Sequence, residues 1–288
     1  MFKKGWFKLE FQLLALFISF ITAIVLGIII IPILKKLKVG QIERDDGPQS
    51  HLKKQGTPTM GGIIMILTMI LVITTCYIYF MVNNKQEIAN KILPILLVSI
   101  GYGVIGFIDD FKKLVLKNTK GLKPSYKMLG LLIISVAYVI YLIYGLKIGC
   151  DTYIPIVKQY ITMPIYVYIP FAITVILATT NAINLTDGID GLSSSVSAII
   201  ITCLTIIAIK TGIPEISILG SVVIGAVLGF LMFNLHPAKV FMGDTGSLLL
   251  RRSNSCNGFI FKNTIIVNSY CINTCIRNFI SNYTSCIF

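Results

Sequence analysis

Seven stretches of nearly unbroken apolar residues fill most of the chain before residue 240, at about 11–34, 60–81, 92–108, 128–146, 162–180, 192–209 and 215–233. A helix crosses the hydrocarbon of a bilayer in about 20 residues, so each stretch has the length of one span. Lipid offers no partner for backbone N–H and C=O groups, and the stretches are too long and too continuously apolar for barrel strands. Each is therefore expected to be a helix. With 55% hydrophobic residues, 13% charged residues and a mean hydropathy of +0.84, a water-soluble globule is excluded. The expected fold is all-α, a polytopic bundle of membrane helices. The first stretch does not read as a cleavable signal, because its apolar run is too long and no small-residue cleavage site follows it.

A formal charge of +13 could point to nucleic acid, but that reading needs a basic face on a folded domain, and here the lysines sit between apolar spans. The positive-inside rule accounts for them instead. Loop 1 (35–59) carries Lys35, Lys36, Lys38, Arg44, Lys53 and Lys54; loop 3 (109–127) carries Lys112, Lys113, Lys117, Lys120, Lys123 and Lys127. Loops 2 and 4 carry two lysines each. Loops 1 and 3 are thus expected in the cytoplasm, and alternation adds loop 5 (181–191) and loop 7 (234–245). The N-terminus then lies outside, against the mild pull of Lys3, Lys4 and Lys8.

Of the twelve acidic residues, eight fall in these same four loops: Glu43, Asp45, Asp46, Asp109, Asp110, Asp187, Asp190 and Asp244. One membrane face collects them. Asp109 and Asp110 are adjacent at the end of an apolar helix, with Lys113 one turn further. Paired carboxylates repel unless a cation or a shared proton offsets them. Magnesium, a hard ion bound by one or two carboxylates and substrate phosphates, is the natural candidate; a helix terminus that faces water is the alternative. Loop 5, NAINLTDGIDGL, packs Asn181, Asn184, Asp187, Gly188, Asp190 and Gly191 together without a basic residue. Such a string suits a polar ligand that needs close backbone approach, or else a tight capped turn. Loop 7, FNLHPAKVFMGDTGS, opens on Asn234 and sets Asp244 between two glycines, with Thr245, Ser247 and Phe241 nearby; this suits a metal-bound phosphate. His236 caps or packs more naturally than it catalyses. In loop 1, His51, Lys53 and Lys54 precede Thr57-Pro58-Thr59 and Gly61-Gly62. Anchoring to anionic headgroups explains the lysines there but not the Thr-Pro-Thr-Met-Gly-Gly string. Cys76 and Cys203 lie in apolar spans, and no CxxC or Cys/His spacing indicates zinc or a disulfide framework.

The strings GPQSHLKKQGTPTMGG, DDFKK, NAINLTDGIDGL and FNLHPAKVFMGDTGS, in that order and spacing, resemble the phospho-N-acetylmuramoyl-pentapeptide transferases. The likeness runs from residue 1 to about 250. The wider polyprenyl-phosphate N-acetylhexosamine-1-phosphate transferase superfamily shares the DD, NxxN and GD elements, whereas the HxxKxGTPTMGG loop is similar to the muramoyl-pentapeptide branch. The resemblance implies transfer of phospho-MurNAc-pentapeptide from UDP-MurNAc-pentapeptide to undecaprenyl phosphate, giving lipid I and UMP, with Mg2+ at the cytoplasmic face of the cell membrane. It implies Asp244 as the magnesium ligand and catalytic residue, with Asp109 and Asp110 handling the lipid phosphate. Asn181, Asn184, Asp187 and Asp190 match the nucleotide stretch, and Phe241 the residue beside the uracil. Asn234, His51, Lys54 and Thr57 would contact substrate, and Lys113, Lys120 and Lys127 would face the diphosphate. It also implies a homodimer. The competing readings are a sister enzyme that uses UDP-N-acetylglucosamine, and a non-catalytic membrane protein: a transporter or an inactive truncated remnant. Polar residues near mid-membrane would mark a transporter, and here they gather at one edge.

After Leu250 the composition changes. Residues 251–288 contain no Leu, Ala, Met, Pro, Asp or Glu, yet hold seven Asn, as many as the preceding 250 residues, and four of the seven Cys. As a membrane span this tail would bury several Asn and Arg277, the latter costing roughly 2.5 to 3.5 kcal/mol at a helix centre. The family pattern continues instead with three more apolar helices, ten in all, and a histidine-bearing loop. The expectation is a transferase domain over 1–250 followed by an out-of-frame tail. Back-translated with permitted codons and moved by one base, Arg251 to Gly258 gives Gly-Gly-Ala-Ile-Ala-Ala-Met, and Cys275 to Ser285 gives Val-Phe-Glu-Thr-Leu-Ser-Val-Ile-Ile-Gln-Val. A chain that truly ended in this tail is expected to have little or no transferase activity.

Overall fold

The computed structural model describes residues 2–37, 57–114, 116, 121–145, 150–154, 159–184 and 190–250. All seven expected spans are helical: α1 (Phe2–Lys36), α2 (Gly62–Val82), α3 (Gln86–Leu114), α4 (Pro124–Ile140, prolonged by a π-helical turn over Tyr141–Gly145), α5 (Ile165–Asn184), α6 (Leu192–Thr211) and α7 (Pro214–Asn234). A further helix, α8, is described over residues 243–250. Among the described residues six helices are long and apolar enough to cross a membrane; in α5 the apolar stretch covers Ile165–Leu177. The chain is a multi-pass membrane protein. Residues 251–288, where an out-of-frame tail is expected, lie outside the described residues.

Local chemistry sets the ends of these helices. Pro124 and Pro214 open α4 and α7, where a missing N–H costs nothing. Gly212 closes α6 at φ +74°, in the left-handed conformation that glycine enters without a Cβ clash. Two helices run further than their apolar runs suggest. At its start α3 takes in Lys91, expected in loop 2, which pairs with Glu87 at 2.9 Å and reaches Glu215 of α7 at 3.7 Å. At its end α3 continues to Leu114 and α4 already contains Lys127, so Asp109, Asp110, Lys113 and Lys127 are helical rather than loop residues.

Among the described residues the all-α expectation holds apart from one strand pair, β1 (Asp151–Ile154) and β2 (Gln159–Thr162), antiparallel with Asp151 opposite Thr162. Its strands are rich in Thr, Tyr and Ile, which favour extended backbone; the reading by apolar runs assigns no element to this loop.

α7 is the hub of the bundle. It packs on α1 and α6, and 78% of its apolar window is buried against 28% for α1, whose other face exposes Leu14, Phe17, Ile21 and Ile28. Small residues permit the close crossing of α1: a Cβ on Gly225 would sit 2.3 Å from Leu16 O, and one on Gly229 would sit 2.6 Å from the Ala23 Cβ. Ser19 Oγ donates to Val222 O at 2.6 Å, and Gln12 Nε2 donates to Ser217 Oγ, so the interface also carries polar bonds. Because α7 is fixed this firmly, the segment that leaves its C-terminus starts from a rigid point. That segment is loop 7.

Candidate active site

Loop 7 is held by all three of the other loops that alternation puts at its end of the bundle. Loop 1 grips it through the backbone: Phe241 N donates to Pro58 O (2.8 Å), Gly61 N to Phe241 O (2.8 Å) and Gly62 N to Met242 O (2.9 Å). This is the task of the Thr-Pro-Thr-Met-Gly-Gly string, which lipid anchoring left without a reason. The glycines are needed for contact: a Cβ on Gly62 would lie 2.0 Å from Gly246 N, and one on Gly106 of α3 would lie 2.2 Å from Asp244 O. The Gly-Asp-Thr-Gly turn is thus wedged between α2 and α3 at backbone distance.

Loop 5 holds the other end. Asn234, at the last turn of α7, is buried; it accepts from Ser194 Oγ at 3.0 Å and donates through Nδ2 to Val240 O at 3.0 Å. Asn234 was expected to contact substrate, but both ends of its amide are engaged in tying α6 and α7 to loop 7. His236 Nδ1 stands 3.2 Å from Asp190 Oδ2. Asp190, from the expected nucleotide stretch, is nearly buried, while His236 is exposed.

Loop 3 and the helices beside it bring the charge. Lys113 Nζ lies 2.9 Å from both Asp109 Oδ2 and Asp244 Oδ2, and Lys127 Nζ lies 3.0 and 2.8 Å from the same two atoms. Asp109 also accepts from Leu122 N at 2.7 Å through its other oxygen. The carboxyl groups are 3% and 18% exposed for Asp109 and Asp244, and the lysines 38% and 18% for Lys113 and Lys127. Both cations are therefore reachable from solvent, whereas Asp109 is sealed behind them. Burial works against charge on Asp244, but the Asp109 carboxyl hydrogen-bonded beside it and the Lys127 and Lys113 ammonium groups outweigh this and hold its carboxyl below the usual carboxylate range. Asp110, one residue from Asp109, points elsewhere: it accepts from Asp244 N (3.2 Å), Thr245 N (2.8 Å) and Thr245 Oγ1 (2.7 Å).

Two carboxylate oxygens that share both ammonium groups form a pocket in which a cation is already at home. Among the described residues no group of three or more His, Cys, Asp or Glu is arranged as an all-protein metal cage. The donor set fits magnesium all the same, since that ion takes one or two carboxylates and completes its octahedron with water and phosphate.

Of the expected site residues, the structure brings together Asp109, Asp110, Asp244, Lys113 and Lys127, with Thr57 and Phe241 on the segments that pair beside them. Asn181 and Asn184 lie on the last turn of α5, their side chains outside the described residues; His51, Lys54, Lys120 and Asp187 lie outside them altogether. Ser194, Leu122 and Gly106 were not singled out from sequence, and Thr245 was noted there only as a hydroxyl beside Asp244, not as a partner of Asp110. A helix N-terminus at 243 preceded by Met242, which carries no side-chain acceptor suited to capping, was the available clue to Thr245 and Asp110.

Comparison with known proteins identifies the family. Residues 92–252 match the model of glycosyl transferase family 4. The chain is 41% identical over 257 residues to a phospho-N-acetylmuramoyl-pentapeptide-transferase of Halalkalibacterium halodurans, covering 88% of this chain and 76% of that protein. It is 42% identical over 254 residues to the protein of that name from Clostridium botulinum (88% and 75%), and 38% identical over 263 residues to the one from Acetivibrio thermocellus (91% and 76%). The family model spans more than half of the chain and the relatives are matched over three quarters of their length, so this chain belongs to the phospho-N-acetylmuramoyl-pentapeptide transferase family.

Proposed function

We propose that the protein transfers phospho-N-acetylmuramoyl-pentapeptide from UDP-MurNAc-pentapeptide to undecaprenyl phosphate at the cytoplasmic face of the cell membrane, releasing UMP and leaving lipid I. The observation that carries this reading is the meeting of Asp109, Lys113, Lys127 and Asp244, from three separate segments, at one end of an apolar bundle. One substrate is a lipid and the other is cytosolic, and a charged centre at the bilayer edge is reachable by both. An oxygen of the lipid phosphate attacks the phosphorus that bears the sugar; the bond to the bridging oxygen breaks, and UMP departs with that oxygen.

Phosphoryl transfer depends mainly on positioning and on neutralising charge. Lys113 and Lys127 serve both ends: without substrate they offset Asp109 and Asp244, and with substrate they turn to the phosphate oxygens. Asp109 keeps the lysines oriented from behind, fixed by the Leu122 amide. Asp244 would hold Mg2+, with Asp109 beside it. Bound there, the ion supplies charge neutralisation and polarises the diphosphate. Phe241 and the Asn181–Asp190 stretch lie on the loops that would receive the nucleotide, and a homodimer accords with the family resemblance.

Residues 251–288 are read as out of frame, and sequencing the coding DNA from codon 240 past the stop tests this. A neighbouring frame that encodes apolar helices and a histidine-bearing loop supports it; three frames without them contradict it. For the reaction, the protein expressed from its own coding DNA is supplied with undecaprenyl phosphate, Mg2+ and either UDP-MurNAc-pentapeptide or UDP-N-acetylglucosamine. UMP release with the first is expected. Release with the second alone would assign the chain to the sister reaction.

A further inference from the structure

We propose that Asp110 is a positioning residue that sets the direction of the Asp244 carboxylate and touches neither substrate; this rests on the reaction proposed above. Its neighbour Asp109 faces the lysines, but a helix turns by 100° per residue, so the Asp110 side chain leaves α3 in another direction. There it meets the first turn of α8. The N–H groups of the second and third residues of a helix have no intrahelical partner and are ordinarily satisfied by the side chain just before the helix. Met242 occupies that place and brings no such acceptor. Asp110, 134 residues upstream of Asp244, fills the role: Oδ1 takes Asp244 N, and Oδ2 takes Thr245 N and Thr245 Oγ1.

The pocket leaves little room for anything else. Asp110 is 5% exposed. Gly243 adopts φ +72°, and a Cβ there would stand 2.6 Å from Asp110 Oδ2 and 3.0 Å from Thr59 Oγ1. Both oxygens are occupied by donors, and a phosphate, itself an anion, would be repelled rather than bound. Gly106 of α3 meanwhile abuts Asp244 O from the other side. The turn that carries Asp244 is therefore held at its two amide ends by Asp110 and at its carbonyl by the surface of α3.

The test uses the full protein expressed from its own coding DNA, as wild type, Asp110→Asn, Asp109→Asn, Thr245→Val and Thr245→Ser. Hydrogen exchange of the 241–250 segment is followed by mass spectrometry without metal, and UMP release is measured against both substrates. In Asp110→Asn an NH2 group must replace one acceptor and face an N–H, so exchange at Asp244 and Thr245 is expected to rise by about tenfold or more, the scale of a local opening. Turnover should fall by about 100-fold, as misplacement by an ångström does, with each KM within about twofold of wild type. Asp109→Asn should leave those amides protected. Thr245→Val should lower kcat and Thr245→Ser restore it. Unchanged exchange in Asp110→Asn together with a raised KM for undecaprenyl phosphate would make Asp110 a substrate contact and overturn the proposal. If Asp110→Asn does not fold, equal kcat in the two Thr245 variants overturns it instead. If the wild type releases no UMP, the proposed reaction fails, while the exchange arm still decides whether Asp110 holds the turn.

Discussion

Loop 7 is fastened at two junctions of opposite character. Toward loop 3 its own Asp244 joins Lys113, Lys127 and Asp109 in four ion-pair contacts of 2.8 to 3.0 Å, all on the same two oxygen atoms. Toward loop 5 its own neutral, buried Asn234 accepts from Ser194 of α6, and its exposed His236 stands 3.2 Å from Asp190. The first junction concentrates charge where two substrates with phosphates would meet; the second uses the ordinary means by which a protein fixes a loop. A fold can thus hold one segment from both sides and reserve only one side for chemistry, and the difference is open to measurement.

The largest effect is expected at the charged junction. Asp244→Ala removes the metal ligand proposed there and leaves Lys113 and Lys127 with one partner fewer; Mg2+-dependent UMP release should fall at least 1,000-fold, on the order of losing about 4 kcal/mol of transition-state stabilisation. Lys127→Met comes next. It should lower turnover by about 10- to 100-fold through loss of charge stabilisation, yet tighten Mn2+ binding to the substrate-free protein, because the ammonium no longer competes for the Asp109 and Asp244 oxygens. Weaker Mn2+ binding in that variant would mean that the lysine supports the ion instead of standing in for it.

At the neutral junction the expected changes are smaller and of another kind. Asn234→Ala leaves Val240 O and Ser194 Oγ without their partner and should cost about 1 to 3 kcal/mol of stability, read as a lower thermal midpoint, with kcat changed less than in Lys127→Met. His236→Ala should do least: although Asp190 is nearly buried, the ring beside it is exposed and solvent screens the contact, so the loss should be about 1 kcal/mol. A collapse of turnover in His236→Ala would erase the contrast between the junctions.

Much of this was legible in the sequence because it rests on run length and on order along the chain. Seven apolar runs gave seven helices, and strict alternation brought the acidic loops to one end. The division of labour between Asp109 and Asp110 was not legible, because adjacency in sequence hides a rotation of 100° about the helix and the cap of α8 comes from a residue far upstream. The Thr-Pro-Thr-Met-Gly-Gly string was noticed without its reason: its partner is the backbone of loop 7, which no side-chain pattern announces. The strand pair at Asp151–Thr162 was missed because its strands are four residues each, too short for alternation to stand out.

The most direct test of the central claim is Mn2+ titration, followed by electron paramagnetic resonance in the presence of undecaprenyl phosphate, on the wild type, Asp244→Ala and His236→Ala. The account predicts saturable binding in the wild type and in His236→Ala and its loss in Asp244→Ala. Equal binding in all three would contradict it, because the ion would then be held by something other than the carboxyl groups where loops 3 and 7 meet.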